Sequence, residues 1–274
     1  MKIALNGATT MHADLITDIL AARDAGYDCL EIWAAKLRTF LKQSTVAHLR
    51  RLLEDAKLEP WSINSIEHIT FRNAEDYRAI KAECEELCRV AAEIDCPFVV
   101  VVPGRFPPNG ASREQIITES VRVLNELADI AAAHDVSLCF EFLGQPDCTV
   151  QTLELCNEIV EQTNRSNVGL VIDTFHFYAG KSALDSIGAV NPESIAIFHI
   201  NDAEDLPREQ LTDAHRLYPG EGILPIRAIK QELDKIGYDR VVSIEIFRPE
   251  YWELDPFEVA VRAREATVNV LGLN

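Results

Sequence analysis

The sequence predicts an α/β chain folded as one (β/α)8 TIM barrel over residues 1–274. Three observations predict it. Short apolar runs alternate with helix-patterned segments from one end to the other. Several of those runs are continuous rather than alternating, the pattern of strands buried on both faces of a parallel sheet. No Gly/Ser linker, charge block or low-complexity segment interrupts them. Right-handed βα units repeated in this way close into a barrel of about 250 residues. The rival architecture, an open doubly wound sheet, places a Gly-rich phosphate turn after its first strand. Here that turn, NGATTMH, holds a single glycine.

Taken in order, Lys2–Asn6 reads as the first strand. Ala13–Ala25 has helical spacing, and Gly26 stops it. Tyr27–Trp33 is the second strand, Thr45–Ala56 the next helix, and Glu59–Ser65 the third strand. Asn73–Ile94 is a long helix rich in Ala, Glu and Leu, followed by the buried strand Pro97–Val102. Ser112 caps a helix running to His134, with acidic Glu114 in its first turn. Val136–Phe142 is a strand and Thr149–Thr163 a helix. The run VGLVIDTFHF begins a strand at Val168 that ends at Asp173, followed by a short helix near Ser182–Ala189. Ile195–Ile200 is a strand, and a long loop, Asn201–Gly222, precedes a helix at Pro225–Ile236. Val241–Phe247 is the eighth strand; a loop, FRPEYW, leads to the final helix Pro256–Leu271.

Charge and composition narrow the function. Lys and Arg number 26 against 44 Asp and Glu, a formal charge of −18. That balance disfavours nucleic acid and anionic membrane surfaces, both of which need clustered positive charge. It does not exclude a small neutral substrate. No run approaches a bilayer span, and the N-terminus lacks a secretory pattern, so the expectation is a cytoplasmic protein. The seven cysteines read as reduced thiols. Cys84 and Cys88, spaced i,i+4 on a helix, read as packing residues.

Four consecutive strands deliver metal-ligand side chains at or near their C-terminal ends: Glu141, Asp173, His199 and Glu245. A carboxylate closing a buried apolar strand is costly unless paired or bound to a cation. Singly, each has a bland reading as a salt-bridge partner or core histidine. Together they would all meet at the C-terminal face of a barrel, where its active sites lie. Three carboxylates and one imidazole suit one divalent ion, Mn²⁺, Zn²⁺, Co²⁺ or Mg²⁺. His176 follows Asp173 and is placed to touch a substrate oxygen or orient a ligand. Asp202 is read as holding the ring of His199 or lining the pocket, and Arg216 as a substrate clamp or a structural ion pair. Glu67 and His68 follow the third strand; a structural role is favoured for both. Trp33, Tyr251 and Trp252 could wall a sugar ring, although core packing is the commoner fate of such side chains.

The runs EFLG from Glu141, DTFH from Asp173, HIND from His199, RLYPGEG from Arg216 and EIFRPEY from Glu245 resemble the xylose-isomerase-like barrel family of sugar isomerases and epimerases. The opening NGATT at Asn6–Thr10 extends the likeness across essentially the whole chain. Within that family the likeness runs to members acting on keto-inositols. The resemblance implies a metal held by Glu141, Asp173, His199 and Glu245, with His176 and Arg216 contacting substrate. It implies a 1,2-carbonyl shift on a small neutral keto-polyol, with Glu141 and Glu245 as acid and base through an enediolate. Ketose 3-epimerisation or dehydroshikimate-type dehydration could use the same site, and a non-catalytic polyol-binding barrel is a further alternative. No Lys sits at a predicted strand end, which argues against Schiff-base chemistry. Pairing into a homodimer is an expectation from the resemblance alone.

Overall fold

A computed structural model describes residues 1–273. Eight parallel strands close on themselves: β1 (Lys2–Asn6), β2 (Cys29–Trp33), β3 (Glu59–Ile66), β4 (Phe98–Val101), β5 (Ser137–Glu141), β6 (Val168–Asp173), β7 (Ile195–Ile200) and β10 (Val241–Ile244). Neighbours in sequence are neighbours in space, and β10 pairs with β1 to complete the ring, Lys2 opposite Val241. Outside the ring lie α1 (Leu15–Ala25), α3 (Val46–Ala56), α4 (Ala74–Glu93), α5 (Arg113–Ala132), α6 (Leu153–Thr163), α8 (Ile226–Lys235) and α10 (Pro256–Leu271). Their apolar faces cover the outward side chains of the strands, for instance Leu49 and Leu53 of α3, and Leu124 and Leu127 of α5.

The helix starts follow capping chemistry. Asp14, Thr45, Asn73, Thr152 and Asp255 each accept a backbone N–H in the first turn of the helix they precede. Ser112 and Gln115 complete a reciprocal capping box on α5. All seven cysteines are free and buried, so Cys84 and Cys88 pack, as read from sequence.

Four segments differ from the sequence reading. Helix α2 (Ala34–Leu41) follows β2 directly, with no side-chain cap at Trp33, so the usual start signal is missing although AAKLRTFL is rich in helix formers. The 201–222 connection is not a plain loop: β8 (Asp202–Ala203) and β9 (Arg216–Leu217) form an antiparallel ribbon within it. The strand read as ending at Asp173 does so, but a helix, α7 (Thr174–Ala179), begins at once with Asp173 as its cap. A further helical turn, α9 (Pro249–Trp252), occupies the FRPEYW segment. No helix among the described residues is long and apolar enough to cross a membrane.

Candidate active site

Strands β5, β6, β7 and β10 stand side by side, so their C-terminal ends share one half of the barrel mouth. Glu141 is the last residue of β5, Asp173 the last of β6, and His199 pairs directly opposite Asp173. Glu245 lies one residue past β10. Thr9 fixes it there: its hydroxyl donates to the Ile244 carbonyl (2.7 Å) and accepts the Ile246 N–H (3.1 Å), bracketing Glu245. One ligand-type atom from each of Glu141, Asp173, His199 and Glu245 lies within 4.8 Å of the others, and all four residues are buried.

Three buried carboxylates this close repel one another, and the surroundings show what offsets that. Burial, reinforced by the charge of Glu141, pushes the Glu245 carboxyl up to about 8. Burial works against the charged form of His199, but Glu31, Glu245 and Glu141 together hold its pKa well above the ordinary value. Burial also opposes the charged form of Asp173, yet Arg216, His176 and His199 keep it below the ordinary carboxylate range. The Nδ1 atom of His199 faces the cluster, 3.0 Å from Glu141 Oε1 and 3.5 Å from Glu245 Oε2. Hard oxygen donors plus one imidazole nitrogen, buried and convergent, fit a divalent cation.

Arg216 occupies part of this space. Its Nη1 lies 3.1 Å from Asp173 Oδ2 and 3.0 Å from Glu245 Oε2. Nε and Nη2 donate to Asp213 Oδ1 (3.1 and 2.7 Å), and Nη2 also lies 3.1 Å from His176 Nε2. Each nitrogen of the guanidinium therefore has at least one carboxylate partner. A cation shared by all four side chains requires it to release its Nη1 contacts.

His176 stands on α7, buried, at the wall of the same cavity. Both ring nitrogens face donors, the Gly144 N–H at Nδ1 (3.2 Å) and Arg216 Nη2 at Nε2 (3.1 Å), and a neutral ring accepts at only one. The backbone donor at Nδ1 is fixed, so the ring carries its proton on Nε2 once Arg216 shifts aside. Burial keeps the ring neutral by lowering its pKa. The cavity holds about 330 Å³ and is lined by Glu141, Glu245, His176, Arg216, Trp33 and Phe247, among others. A larger hollow of about 630 Å³ lies beside it between α1 and α2, but none of the four clustered residues reaches it.

Asp202 departs from the sequence reading. It neither holds the ring of His199 nor lines this cavity. Its Oδ1 accepts the N–H groups of Ala203 (2.9 Å) and Leu224 (2.8 Å), and its Oδ2 that of Gly220 (2.9 Å). Asp202 is a loop anchor because its position past β7 turns it away from the mouth and under the 218–224 segment. Tyr251 and Trp252 also point elsewhere. Tyr251 stacks on Tyr218 at 4.1 Å between ring centroids, and Trp252 donates to the Ala8 carbonyl. Of the three aromatics, Trp33 alone lines the cavity, as do Glu67 and His68, for which a structural role was favoured.

Several site residues escaped the sequence reading. Glu31, wholly buried on β2, lies 2.9 Å from His199 Nε2 and accepts the Ser243 hydroxyl at 2.6 Å. It bore the same signature as Glu141, an acid inside an apolar strand, but on a strand remote in sequence from the other four. Asn6 and Asn64 both donate to Glu245 Oε1 (3.0 and 2.9 Å), and Asn201 donates to Asp173 Oδ2 (2.8 Å). Glu245 thus has both oxygens engaged, whereas Glu141 Oε2 accepts no hydrogen bond from the described residues.

Residues 19–267 match the sequence pattern of the xylose isomerase-like TIM barrel family. The inosose isomerase of Bacillus velezensis is 36% identical over 273 residues, covering 99% of this chain and 97% of that protein. The inosose isomerase of Bacillus subtilis is likewise 36% identical over 273 residues, covering 99% and 98%. A crystal structure of the IolI protein with a bound zinc atom superposes with a TM-score of 0.96 at 36% identity, covering 99% of this chain and 98% of that one. D-psicose 3-epimerase from Clostridium cellulolyticum shares the fold, with a TM-score of 0.78 at 19% identity over 99% of each chain. By the extent of these matches, the chain belongs to the xylose isomerase-like TIM barrel family.

Proposed function

We propose that the protein is a metal-dependent isomerase that moves the carbonyl of a cyclic keto-polyol to the neighbouring ring carbon, from a 2-keto-myo-inositol to a 1-keto-D-chiro-inositol. The observation that carries the reading is the convergence of Glu141, Asp173, His199 and Glu245 within 4.8 Å at a buried barrel mouth. Full-length identity of 36% to inosose isomerases supports the substrate class. The reading includes one divalent ion, with Mn²⁺, Zn²⁺, Co²⁺ and Mg²⁺ as candidates, held by those four residues. Such an ion polarises the ketone and acidifies the adjacent C–H.

The chain's own groups supply the rest. Glu141 Oε2, free of hydrogen bonds, takes the proton from the carbinol carbon. Glu245 is the second carboxylate: with Arg216 moved off its Oε2, it takes a proton from solvent and delivers it at the former ketone carbon. The carbinol O–H proton passes to the former ketone oxygen, and Glu141 returns its proton to solvent. Glu245 Oε1 is held by Asn6 and Asn64, so its aim is fixed. His176, protonated on Nε2, donates to a substrate oxygen once Arg216 shifts aside. Trp33 and Phe247 exclude water from one wall of the cavity.

The test is incubation of the protein, loaded in turn with each metal, with 2-keto-myo-inositol in D₂O, followed by proton and carbon NMR. The expected result is a ketone at the neighbouring carbon and solvent deuterium on the carbon that lost its carbonyl. Product without deuterium would overturn the two-glutamate path, since a solvent-derived proton delivered by the second carboxylate must label the product. Inertness toward the inosose, with turnover of a ketohexose or of dehydroshikimate, would overturn the substrate assignment.

A further inference from the structure

His68 sits in a backbone conformation that a β3–α4 loop does not ordinarily demand. Its φ is 54°, in the left-handed region that costs a non-glycine residue energy. Most other non-glycine residues with positive φ, including Lys57, Asp95, Asp135 and Asn164, lie at helix C-termini, where this conformation closes the helix. His68 ends no helix. Strain of this kind persists only where the surroundings over-determine it, and it gathers at functional sites.

The surroundings do over-determine it. The next residue, Ile69, donates its N–H to the Val102 carbonyl (3.1 Å). Two residues on, the Thr70 hydroxyl accepts the Gly104 N–H (2.9 Å). The two loops approach so closely that a Cβ on Gly104 would lie 2.2 Å from the Thr70 carbonyl oxygen. Gly104 is in turn held by Thr149, whose N–H and hydroxyl both donate to its carbonyl. The loops after β3, β4 and β5 are thus stapled together, and the strained residue is fixed at the wall of the cavity that Glu141 and Glu245 also line.

The ring is oriented as well. Its Nδ1 lies 3.4 Å from the Pro103 carbonyl, an acceptor only, so the proton belongs on Nδ1. Nε2 is left as an acceptor without a partner: Glu67 Oε2, itself an acceptor, is 3.9 Å away. The His68 side chain is 31% exposed. A keto-cyclitol held by two neighbouring oxygens at the quartet still presents hydroxyls on its remaining ring carbons, and each needs a partner on entering the cavity.

We propose that His68 is a specificity-determining residue, whose Nε2 accepts a hydrogen bond from a substrate hydroxyl remote from the two reacting carbons. The proposal rests on the keto-cyclitol reading above. It assigns His68 no part in proton transfer to carbon.

The test compares wild type with His68→Asn, chosen because asparagine tolerates the left-handed backbone. Substrates are the keto-inositol and a panel of its monodeoxy derivatives. The expected result is a rise in KM for the parent of roughly 3- to 10-fold, the loss of one neutral hydrogen bond, with kcat nearly unchanged. One deoxy derivative should be handled equally by the two proteins. Equal discrimination by both proteins across the whole panel would overturn the proposal. A second measurement uses the wild type alone: ¹⁵N-histidine NMR during titration with myo-inositol, which has every hydroxyl and no carbonyl. Nε2 of His68 should shift on binding; an unmoved signal at saturation would also overturn it. If the keto-inositol is turned over and both arms are negative, only the role of His68 falls. If it is not turned over at all, the functional reading itself fails.

Discussion

Glu31 Oε2 lies 2.9 Å from Nε2 of His199, on the opposite side of the ring from Glu141, and both residues are fully buried. The contact fixes which nitrogen faces the carboxylate cluster. It also sets a counter-charge behind the ring, the arrangement by which a carboxylate raises the basicity of a metal-binding histidine.

Glu31→Gln removes that charge while keeping the shape. Divalent-metal affinity should fall about 10- to 100-fold. Titration of the metal-free protein by calorimetry, with elemental analysis of the purified variant, measures this. Unchanged affinity would show that the ring is held well enough by its other neighbours.

Glu141→Gln keeps a metal-ligand oxygen but loses the basic one. The rate of keto-inositol turnover should fall by about 10²–10⁴-fold, the usual contribution of a positioned acid or base. Solvent deuterium should cease to enter the substrate over the same period, and the NMR assay reads both effects together.

Metal uptake should depend on pH in a definite sense. Burial and Glu141 place the Glu245 carboxyl at about 8 in the metal-free protein, so below that pH a proton must leave before the oxygen can serve a cation. Affinity should weaken as pH falls below 8, by up to about tenfold per unit for each proton displaced, with protons released on binding. Those protons are that of Glu245 and that of His199, whose pKa its carboxylate neighbours hold well above the ordinary value. Calorimetry in buffers of different ionisation enthalpy counts those protons. Affinity that is flat between pH 6 and 8 would contradict the assignment.

Asp202→Ala should damage the loop and leave the metal site alone. Three backbone N–H groups, two of them buried, lose one charged acceptor, which costs about 2 kcal/mol. The melting temperature should drop by roughly 4–8 °C. Metal affinity within twofold of wild type would agree with its placement outside the cavity.

Much of this architecture could be read from the chain. Strands such as Val168–Asp173 and Ile195–Ile200 are continuous apolar runs, and caps such as Thr45 and Asn73 announce their helices, so the order of elements was legible. The convergence of Glu141, Asp173, His199 and Glu245 followed from topology, because strands consecutive in sequence are adjacent in the ring. Glu31 was not legible as a partner of His199. The two stand on strands across the barrel, and only closure of the ring brings them together. Asp202 misled for the opposite reason: three residues from His199 in sequence, it is turned to the far side by the ribbon that starts there. Neither His68 nor α2 carried a pattern, since a positive φ leaves no mark on a histidine and Trp33 offers no cap.

Asp173 serves two masters. One oxygen accepts the His176 N–H at 2.7 Å and so starts α7; the other meets Asn201 and Arg216 at the cluster. That dual employment dictates side-chain length. Glutamate suffices at 141 and 245, but at this corner one more methylene would carry the carboxylate past either the helix or the cluster, whichever rotamer it took. The shortest acid is the only one that can work there, and a change from Asp to Glu that looks mild on paper would unfasten the first turn of a helix and the centre of the site together.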